Sequence, residues 1–143
     1  MKRLLNLVIF SCVLFYGSVV VAAEEWIEVV VNGVGDRFLI DQNSIERQDN
    51  IIQYWEYRYF EQPNNAFLDF EIEQPVHGVM LYQSVDCDSG VVRLRRLVVF
   101  DRDRQVIRRE NYDDNGELSQ PMQGSSAETV LRYVCNQPQS RPS

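Results

Sequence analysis

Residues 79–100, VMLYQSVDCDSGVVRLRRLVVF, constrain the fold of this chain more than any other stretch. Aliphatic, β-branched and aromatic residues, which favour strands, stand on both sides of Asp88, Ser89 and Gly90, a combination typical of turns. The pattern predicts two antiparallel strands joined by a short turn. Cys87 is expected at the end of the first strand. We expect this hairpin to form the centre of a β-sheet.

Side-chain alternation predicts apolar residues on both faces of this hairpin. The face on the side of Cys87 is expected to carry Leu81, Val85 and Val99, and the other face Met80, Tyr82, Val92 and Leu94. One short helix can cover only one face of a sheet. The other face must then meet solvent, a second subunit or the apolar part of residues 61–78, folded back over it.

The pattern of residues 125–135 predicts one helix near the end of the chain. Ser125 and Glu128 have the spacing of a capping box. An apolar stripe follows at Val130, Leu131, Val134 and Cys135. Such a stripe indicates a helix that packs one side against the sheet, so Cys135 is expected to face the sheet.

The N-terminal 23 of the 143 residues resemble a secretory signal peptide. Lys2 and Arg3 precede a nearly continuous apolar run, and the small residues Ala22 and Ala23 end it. Two alternatives stay open: an uncleaved apolar anchor, and a lipid-modified Cys12. The predicted organisation is a signal peptide at 1–23, one domain at 24–136 and a disordered tail at 137–143.

Cys87 and Cys135 are the two cysteines left when the signal peptide is set aside. An even cysteine count in an exported chain indicates a disulfide, and two cysteines allow one connectivity. Further strands are predicted at 26–31, 37–40, 51–60 and 105–112. The predicted fold class is therefore α+β: a single antiparallel β-sheet of about five to six strands, with a C-terminal helix tied to it by a disulfide.

The charge of the exported part limits its partners. Without Lys2 and Arg3 the formal charge falls from −7 to −9, because 12 arginines then stand against 21 carboxylates. Nucleic-acid backbones and anionic lipid surfaces bind positive surfaces. We therefore expect no nucleic-acid partner, and no stable membrane insertion once the signal peptide is cleaved.

Residues 51–60, IIQYWEYRYF, are the most aromatic segment. Alternation places Trp55, Tyr57 and Tyr59 on one face of the predicted strand. Aromatic residues are ordinary strand formers, so a buried structural face is one interpretation. The other is a candidate binding surface for a ligand or a partner.

No constellation of catalytic or metal-binding residues stands out. His77 is the only histidine and has no nucleophile in a recognisable motif. Asp86 and Asp88 could form a carboxylate pair, but their position favours a turn. Residues 113–117, DDNGE, lack the alternating spacing of a calcium loop. We predict no catalytic residue, no cofactor and no metal site, and hence no enzyme.

Several segments together resemble the bacterial surface-adhesin protein E family. They are the early Trp26, FLIDQNSIER at 38–47, Tyr54-Trp55, VDC at 85–87 and SSAETVLRYVC at 125–135. The resemblance covers nearly all of residues 26–135. It implies an antiparallel sheet with a C-terminal helix held by a disulfide. It also implies a surface protein that attaches bacteria to host matrix proteins and tends to form dimers.

These observations favour an exported, non-catalytic, adhesin-like binding module. It would act at the cell surface or in the periplasm through contacts with a protein partner whose identity the sequence does not reveal. A homodimer built on the sheet face away from the helix is expected. The alternative is a carrier of a small apolar ligand or lipid that uses the aromatic face. A carrier should have a deep apolar cavity between sheet and helix, whereas a protein-binding module should have a filled core and an exposed apolar patch.

Overall fold

The computed structural model describes residues 23–138. The signal peptide expected at 1–23 lies outside this range apart from Ala23, and the tail expected at 137–143 lies outside it from residue 139 onward. Gln137, at the start of that expected tail, accepts a hydrogen bond from the Gln42 side chain (Nε2 to Oε1, 3.0 Å). Between residues 23 and 138, no helix is long and apolar enough to cross a membrane.

The chain forms one antiparallel sheet followed by one α-helix. The elements are β1 (Trp26–Val31), β2 (Arg37–Asp41), β3 (Glu46–Gln48), β4 (Ile51–Tyr59), β5 (Gly78–Asp86), β6 (Val91–Phe100), β7 (Val106–Asn111), β8 (Leu118–Ser119) and α1 (Ser126–Cys135). Six strands follow the order β1-β2-β4-β5-β6-β7, while β3 pairs with β4 and β8 with β6. The predicted fold class is confirmed, and two short strands extend the five or six expected.

The hairpin of β5 and β6 lies at the centre of the sheet, as predicted. The Asp86 carboxylate closes its turn by accepting a hydrogen bond from the Asp88 backbone N–H at 2.9 Å. Gly90 has a φ of +73°, a conformation that glycine adopts without steric cost. The turn leaves Asp86 directly opposite Val91.

This register corrects one prediction. Val92 lies opposite Val85, and Leu94 lies opposite Gln83, so both residues point to the helix side of the sheet and not to the other side. Register depends on turn length, and a shift of one residue moves every side chain of a strand to the other face. Alternation along β6 alone could therefore not assign its faces.

The helix begins with the predicted cap. The Ser125 hydroxyl accepts a hydrogen bond from the Glu128 backbone N–H at 3.1 Å, and the Glu128 carboxylate accepts one from the Gly124 N–H at 3.1 Å. Val130 and Val134 are fully buried against the sheet. They belong to a core cluster with Phe38, Ile40, Ile52, Tyr54, Val85 and Val92.

A disulfide ties the end of the helix to the central hairpin. Cys87 and Cys135 are bonded, with their Cα atoms 5.7 Å apart. The predicted disulfide is thereby confirmed. It connects the turn between β5 and β6 to the last residue of α1.

Residues 61–77 cover the remainder of the face on which the helix packs. The Asn65 side chain closes this excursion, because it donates to the carbonyls of Ile72 and Gln74 and accepts from the Val76 N–H, each at 2.9 Å. Phe67, Leu68, Phe70 and Ile72 pack on a second core cluster of Phe60, Val76, Val79, Leu81, Leu97 and Val99. The expectation that this segment could fold over the face away from the helix is wrong. Helix and excursion share one face.

Candidate functional site

The sheet face away from the helix is open and aromatic. We call it the aromatic face and define it by its large apolar residues: Trp26, Leu39, Trp55, Tyr57, Tyr59, Met80, Tyr82, Val98 and Phe100. All are partly exposed except Val98, which is buried. Trp55, Tyr57 and Tyr59 share this face, as alternation along β4 predicts.

Ring contacts join four strands across the aromatic face. The Trp26 and Tyr57 ring centroids are 6.0 Å apart, and Tyr57 lies 5.9 Å from Phe100, both edge to face. Trp55 and Tyr82 are tilted at 5.0 Å. Such pairs add to the free energy gained by burial and fix ring orientation. The result is a preformed strip of aromatic rings that stretches from β1 to β6.

A groove of about 410 Å³ runs along one end of this strip. Trp26, Tyr57 and Phe100 line it, together with the charged side chains of Glu24, Arg37 and Arg104. The Arg104 guanidinium lies 5.5 Å from the centre of the Tyr57 ring, a cation–π contact. Burial raises the pKa of Tyr57, and the nearby Arg104 charge opposes that shift. Its hydroxyl therefore stays protonated at neutral pH and can donate a hydrogen bond.

Charges are distributed unevenly across the aromatic face. Glu28 on β1 and Glu46 on β3 lie at one side, and Arg96 on β6 and Arg109 on β7 at the other. Glu28 is paired with Arg37. Among residues 23–138, Arg96 and Arg109 form no salt bridge. Arg37 also lies on this face, so the β1–β3 side carries the Glu28–Arg37 pair and Glu46. The β6–β7 side carries the two arginines, with the aromatic strip between the two sides.

His77 lies in a separate groove of about 660 Å³, together with Tyr59 and Asp101. The Asp101 carboxylate already accepts hydrogen bonds from the backbone N–H groups of Asp103 (2.8 Å) and Gln105 (2.9 Å). It shapes the turn between β6 and β7. The described residues that line this groove include no serine, threonine or cysteine.

The other acidic segments also have structural roles. The Asp88 carboxylate accepts a hydrogen bond from the Asn50 side chain at 2.6 Å. In the DDNGE segment, Arg93 donates to the carbonyls of Asp114 (2.6 Å) and Gly116 (3.0 Å). A Cβ at Gly116 would lie 1.5 Å from the Leu94 carbonyl oxygen, so only glycine fits there. The Arg93 guanidinium therefore hydrogen-bonds two backbone carbonyl oxygens of this segment, which would otherwise be available as calcium ligands.

The fold and the site together define a small disulfide-tethered domain with one covered and one open sheet face. A family model described as surface-adhesin protein E matches residues 26–136. The chain belongs to the surface-adhesin protein E family, which confirms the resemblance seen in the sequence.

Two solved structures of Haemophilus influenzae protein E have a similar fold. Crystal form II aligns with a TM-score of 0.52 and 14% identity, covering 77% of this chain and 86% of the other. A second structure aligns with a TM-score of 0.50 and 14% identity, covering 77% and 83%. At this identity the likeness concerns the fold alone. No curated protein sequence matches this chain.

Sequence reasoning found only part of the aromatic face. Alternation along β5 identifies Met80 and Tyr82 as neighbours on one face. Trp26, Phe100 and Arg104 are far from Tyr57 in the sequence, and only strand order and register bring them beside it. No local pattern contains that information.

Proposed function

We propose that this chain is an exported, non-catalytic, adhesin-like binding module that contacts proteins through its aromatic face. The observation that carries this proposal is the strip of partly exposed rings on a sheet whose other face is already covered. Contiguous apolar patches on a surface mark interaction sites. Tyrosine, tryptophan, methionine and arginine are the residues enriched in protein interfaces. Membership of a family described as surface adhesins supports the same function.

The proposal includes export to the cell surface or the periplasm, with removal of residues 1–23 as a signal peptide. The domain would then begin at Glu24, directly before β1, and residues 137–143 would form a tail. N-terminal sequencing and intact mass of the exported protein test this. We expect a chain that begins at Glu24. A chain that begins at Met1, or a lipid on Cys12, would contradict cleavage at this site.

The non-catalytic part of the proposal rests on the roles of the acidic residues near His77. Asp101 shares the groove with His77 and is a carboxylate that could act as its catalytic partner. Its side chain instead accepts hydrogen bonds from two backbone N–H groups of its own turn. We therefore expect His77→Ala to leave partner binding and any cellular phenotype unchanged. Loss of a phenotype without loss of folding would show that His77 has a chemical role.

Affinity capture with the mature domain, compared across matched variants, tests the binding face. We expect Trp55→Ala and Tyr59→Ala to lose a partner that the wild-type domain retains. Met122→Ala is the control, since Met122 is 79% exposed and lies outside the aromatic face. Circular dichroism confirms that each variant is folded. A partner retained by both aromatic variants and the control would place the binding site elsewhere.

A second copy of this chain is an alternative partner for the aromatic face, and the order of residues across the sheet favours it. One row of residues crosses the whole sheet from Glu28 on β1 to Arg109 on β7, through Leu39, Tyr57, Met80 and Val98. A two-fold axis parallel to the strands, between β4 and β5, would reverse this row over itself. Glu28 of each copy would then oppose Arg109 of the other. Isologous interfaces require such self-complementary surfaces.

Sedimentation of the mature domain across a concentration series tests this homodimer. We expect Arg109→Glu and Glu28→Arg each to weaken association, because each variant opposes like charges. The double variant Glu28→Arg/Arg109→Glu should restore it. Arg102→Glu is the charge-matched control, because Arg102 is exposed in the turn after β6. A monomer at every concentration would contradict the homodimer and leave the face free for another protein.

A further inference from the structure

A small cavity lies on the covered face, between the sheet and the excursion formed by residues 61–77. Its volume is about 230 Å³. Its apolar walls are Leu81, Leu94 and Leu97 of the sheet and Phe67 and Phe70 of the excursion. The sheet separates this cavity from the aromatic face. It is therefore a second, independent site.

The Arg58 guanidinium supplies hydrogen-bond donors to this cavity. Its Nε donates to Glu56 Oε2 at 2.8 Å, and the Arg58 side chain is only 15% exposed. The group lies 5.2 Å from the ring centres of both Phe38 and Phe67, which hold it in place. The part of the chain that the structure describes offers no acceptor to its two terminal nitrogens. Arg58 lines the cavity, so these four N–H bonds are available to an occupant.

A second donor reaches the cavity from the next strand. Gln83 accepts a hydrogen bond from the buried Tyr54 hydroxyl through Oε1 at 3.1 Å. This bond fixes the orientation of the amide and leaves Nε2 without an acceptor in residues 23–138. Gln83 also lines the cavity. Among residues 23–138, the buried side-chain polar atom without a partner is Glu56 Oε1, so the Gln83 and Arg58 donors reach solvent and an occupant would replace water there.

Charge and size restrict the occupant. Glu56 is fully buried and already neutralises Arg58, and no group in residues 23–138 hydrogen-bonds its Oε1 atom. An anionic head group would add a second carboxylate beside this pair, which desolvation and repulsion disfavour. Two exposed carboxylates, Asp69 and Glu117, also line the cavity and add to the repulsion of an anion. An ammonium would meet these carboxylates only at the exposed edge, because deeper in the cavity it would face the donors of Arg58 and Gln83. Pockets for drug-sized ligands span roughly 300–1,000 Å³, so this cavity suits a smaller molecule.

We infer that this cavity binds a small apolar molecule that carries one neutral carbonyl group. The carbonyl oxygen accepts hydrogen bonds from the Arg58 terminal nitrogens and from Gln83 Nε2. The apolar part packs on Leu81, Leu94 and Leu97. Proteins commonly combine apolar walls with a few convergent polar groups in this way when they bind small molecules.

The test titrates the folded mature domain with three six-carbon probes: hexanamide, hexanoate and hexylamine. Hexanamide and hexanoate each have eight non-hydrogen atoms and hexylamine has seven, and the three probes differ only in their head groups. The measurement is ¹H–¹⁵N correlation NMR, with the Gln83 side-chain amide and the Leu94 backbone amide as reporters. We expect saturable binding of hexanamide in the millimolar range, at least about threefold tighter than hexanoate, and no saturation with hexylamine.

Two variants locate the site. Ser119 is exposed and lines the cavity, so Ser119→Trp should fill the opening without disturbing the core and abolish hexanamide binding. Trp55→Ala, on the aromatic face, should leave hexanamide binding unchanged. No saturable binding of any probe, or hexanoate binding as tightly as hexanamide, would overturn the inference. Hexanamide binding lost in Trp55→Ala but retained in Ser119→Trp would also overturn it and favour a carrier function for the aromatic face.

Discussion

At the residue scale, the buried pair of Glu56 and Arg58 is the feature that local patterns would not predict. Alternation along β4 directs both side chains toward the covered face, where every neighbouring position is apolar or aromatic. A buried ion pair gains Coulomb energy but loses hydration, so its net contribution to stability is small. Removal of one partner is different, since it leaves an uncompensated buried charge.

We expect Glu56→Leu to lower the free energy of unfolding by about 3–5 kcal/mol, because Arg58 then loses its counter-charge. The double variant Glu56→Leu/Arg58→Met should recover most of that loss. Urea unfolding measures both. Arg132→Ala is the control: Arg132 pairs with Glu128 but is 68% exposed, so its loss should cost about 0.5 kcal/mol. Equal losses in the single and double variants would show that packing, and not charge, governs this position.

The buried Tyr54 makes the free energy of unfolding depend on pH under alkaline conditions. Burial raises the pKa of Tyr54, the Glu56 charge raises it further, and Arg58 lowers it only in part. The folded pKa thus exceeds the value of about 10 in the unfolded chain. Above that pH the unfolded state loses the proton first, so the contribution of Tyr54 to stability is constant below about pH 10 and is lost as the pH rises above it.

Urea unfolding between pH 8 and pH 11 measures this dependence. We expect Tyr54→Phe to reduce the decline above pH 10, at the cost of its hydrogen bond to Gln83. A residual decline should persist, since burial also raises the pKa of Tyr57, Tyr82 and Tyr112. An unchanged slope in Tyr54→Phe would assign the whole effect to those three tyrosines.

At the scale of elements, two different devices hold the covered face together. The helix is capped by Ser125, anchored by Val130 and Val134, and tied down by the disulfide. The excursion has one short 3₁₀ turn at Asn65–Phe67 and depends on the three hydrogen bonds of the Asn65 side chain. A covalent bond thus secures one half of the covered face and an amide side chain the other.

Replacement of Cys87 and Cys135 by serine should lower the free energy of unfolding by roughly 4 kcal/mol, because the disulfide closes a span of 48 residues in the unfolded chain. Urea unfolding of wild type and variant gives the difference. Ser125→Ala, which removes only the cap, should cost about 1 kcal/mol. Two alkylatable thiols in the native wild-type domain, detected by mass spectrometry, would contradict the disulfide itself.

At the scale of the whole molecule, the two sheet faces make different contributions. Helix and excursion divide the covered face, and both core clusters lie there. Among the large residues of the aromatic face, only Val98 is buried, and it is 7% exposed. Stability therefore depends on the covered face, and the aromatic face can serve recognition without a comparable cost to folding.

Adjacent residues on β5 test this division. Leu81 is 1% exposed on the covered face, and Met80 is partly exposed on the aromatic face. We expect Leu81→Ala to lower the free energy of unfolding by about 2–5 kcal/mol, through lost burial and the cavity left behind. Met80→Ala should cost less than half as much at protein concentrations where the domain is monomeric. Similar costs would mean that the aromatic face is part of the folding core.

Much of the fold follows from local patterns in the sequence. Strand positions come from alternation and turn residues, and the first strand is observed at the predicted residues 26–31. The helix start comes from Ser125 and Glu128. The disulfide is predicted because only two of the three cysteines lie outside residues 1–23. Each of these depends on a few neighbouring residues or on composition, so the chain reveals it without long-range information.

The tertiary structure alone decided how the faces are occupied. Register placed Val92 and Leu94 under the helix and the excursion, because the turn length and the bulge between Tyr82 and Gln83 set pairing along β6. The choice of face for residues 61–77 depended on which side still had uncovered apolar surface beside the helix. Trp26 and Phe100 reached Tyr57 through strand order. Side-chain alternation specifies two faces, but only the packed molecule determines which of them remains open.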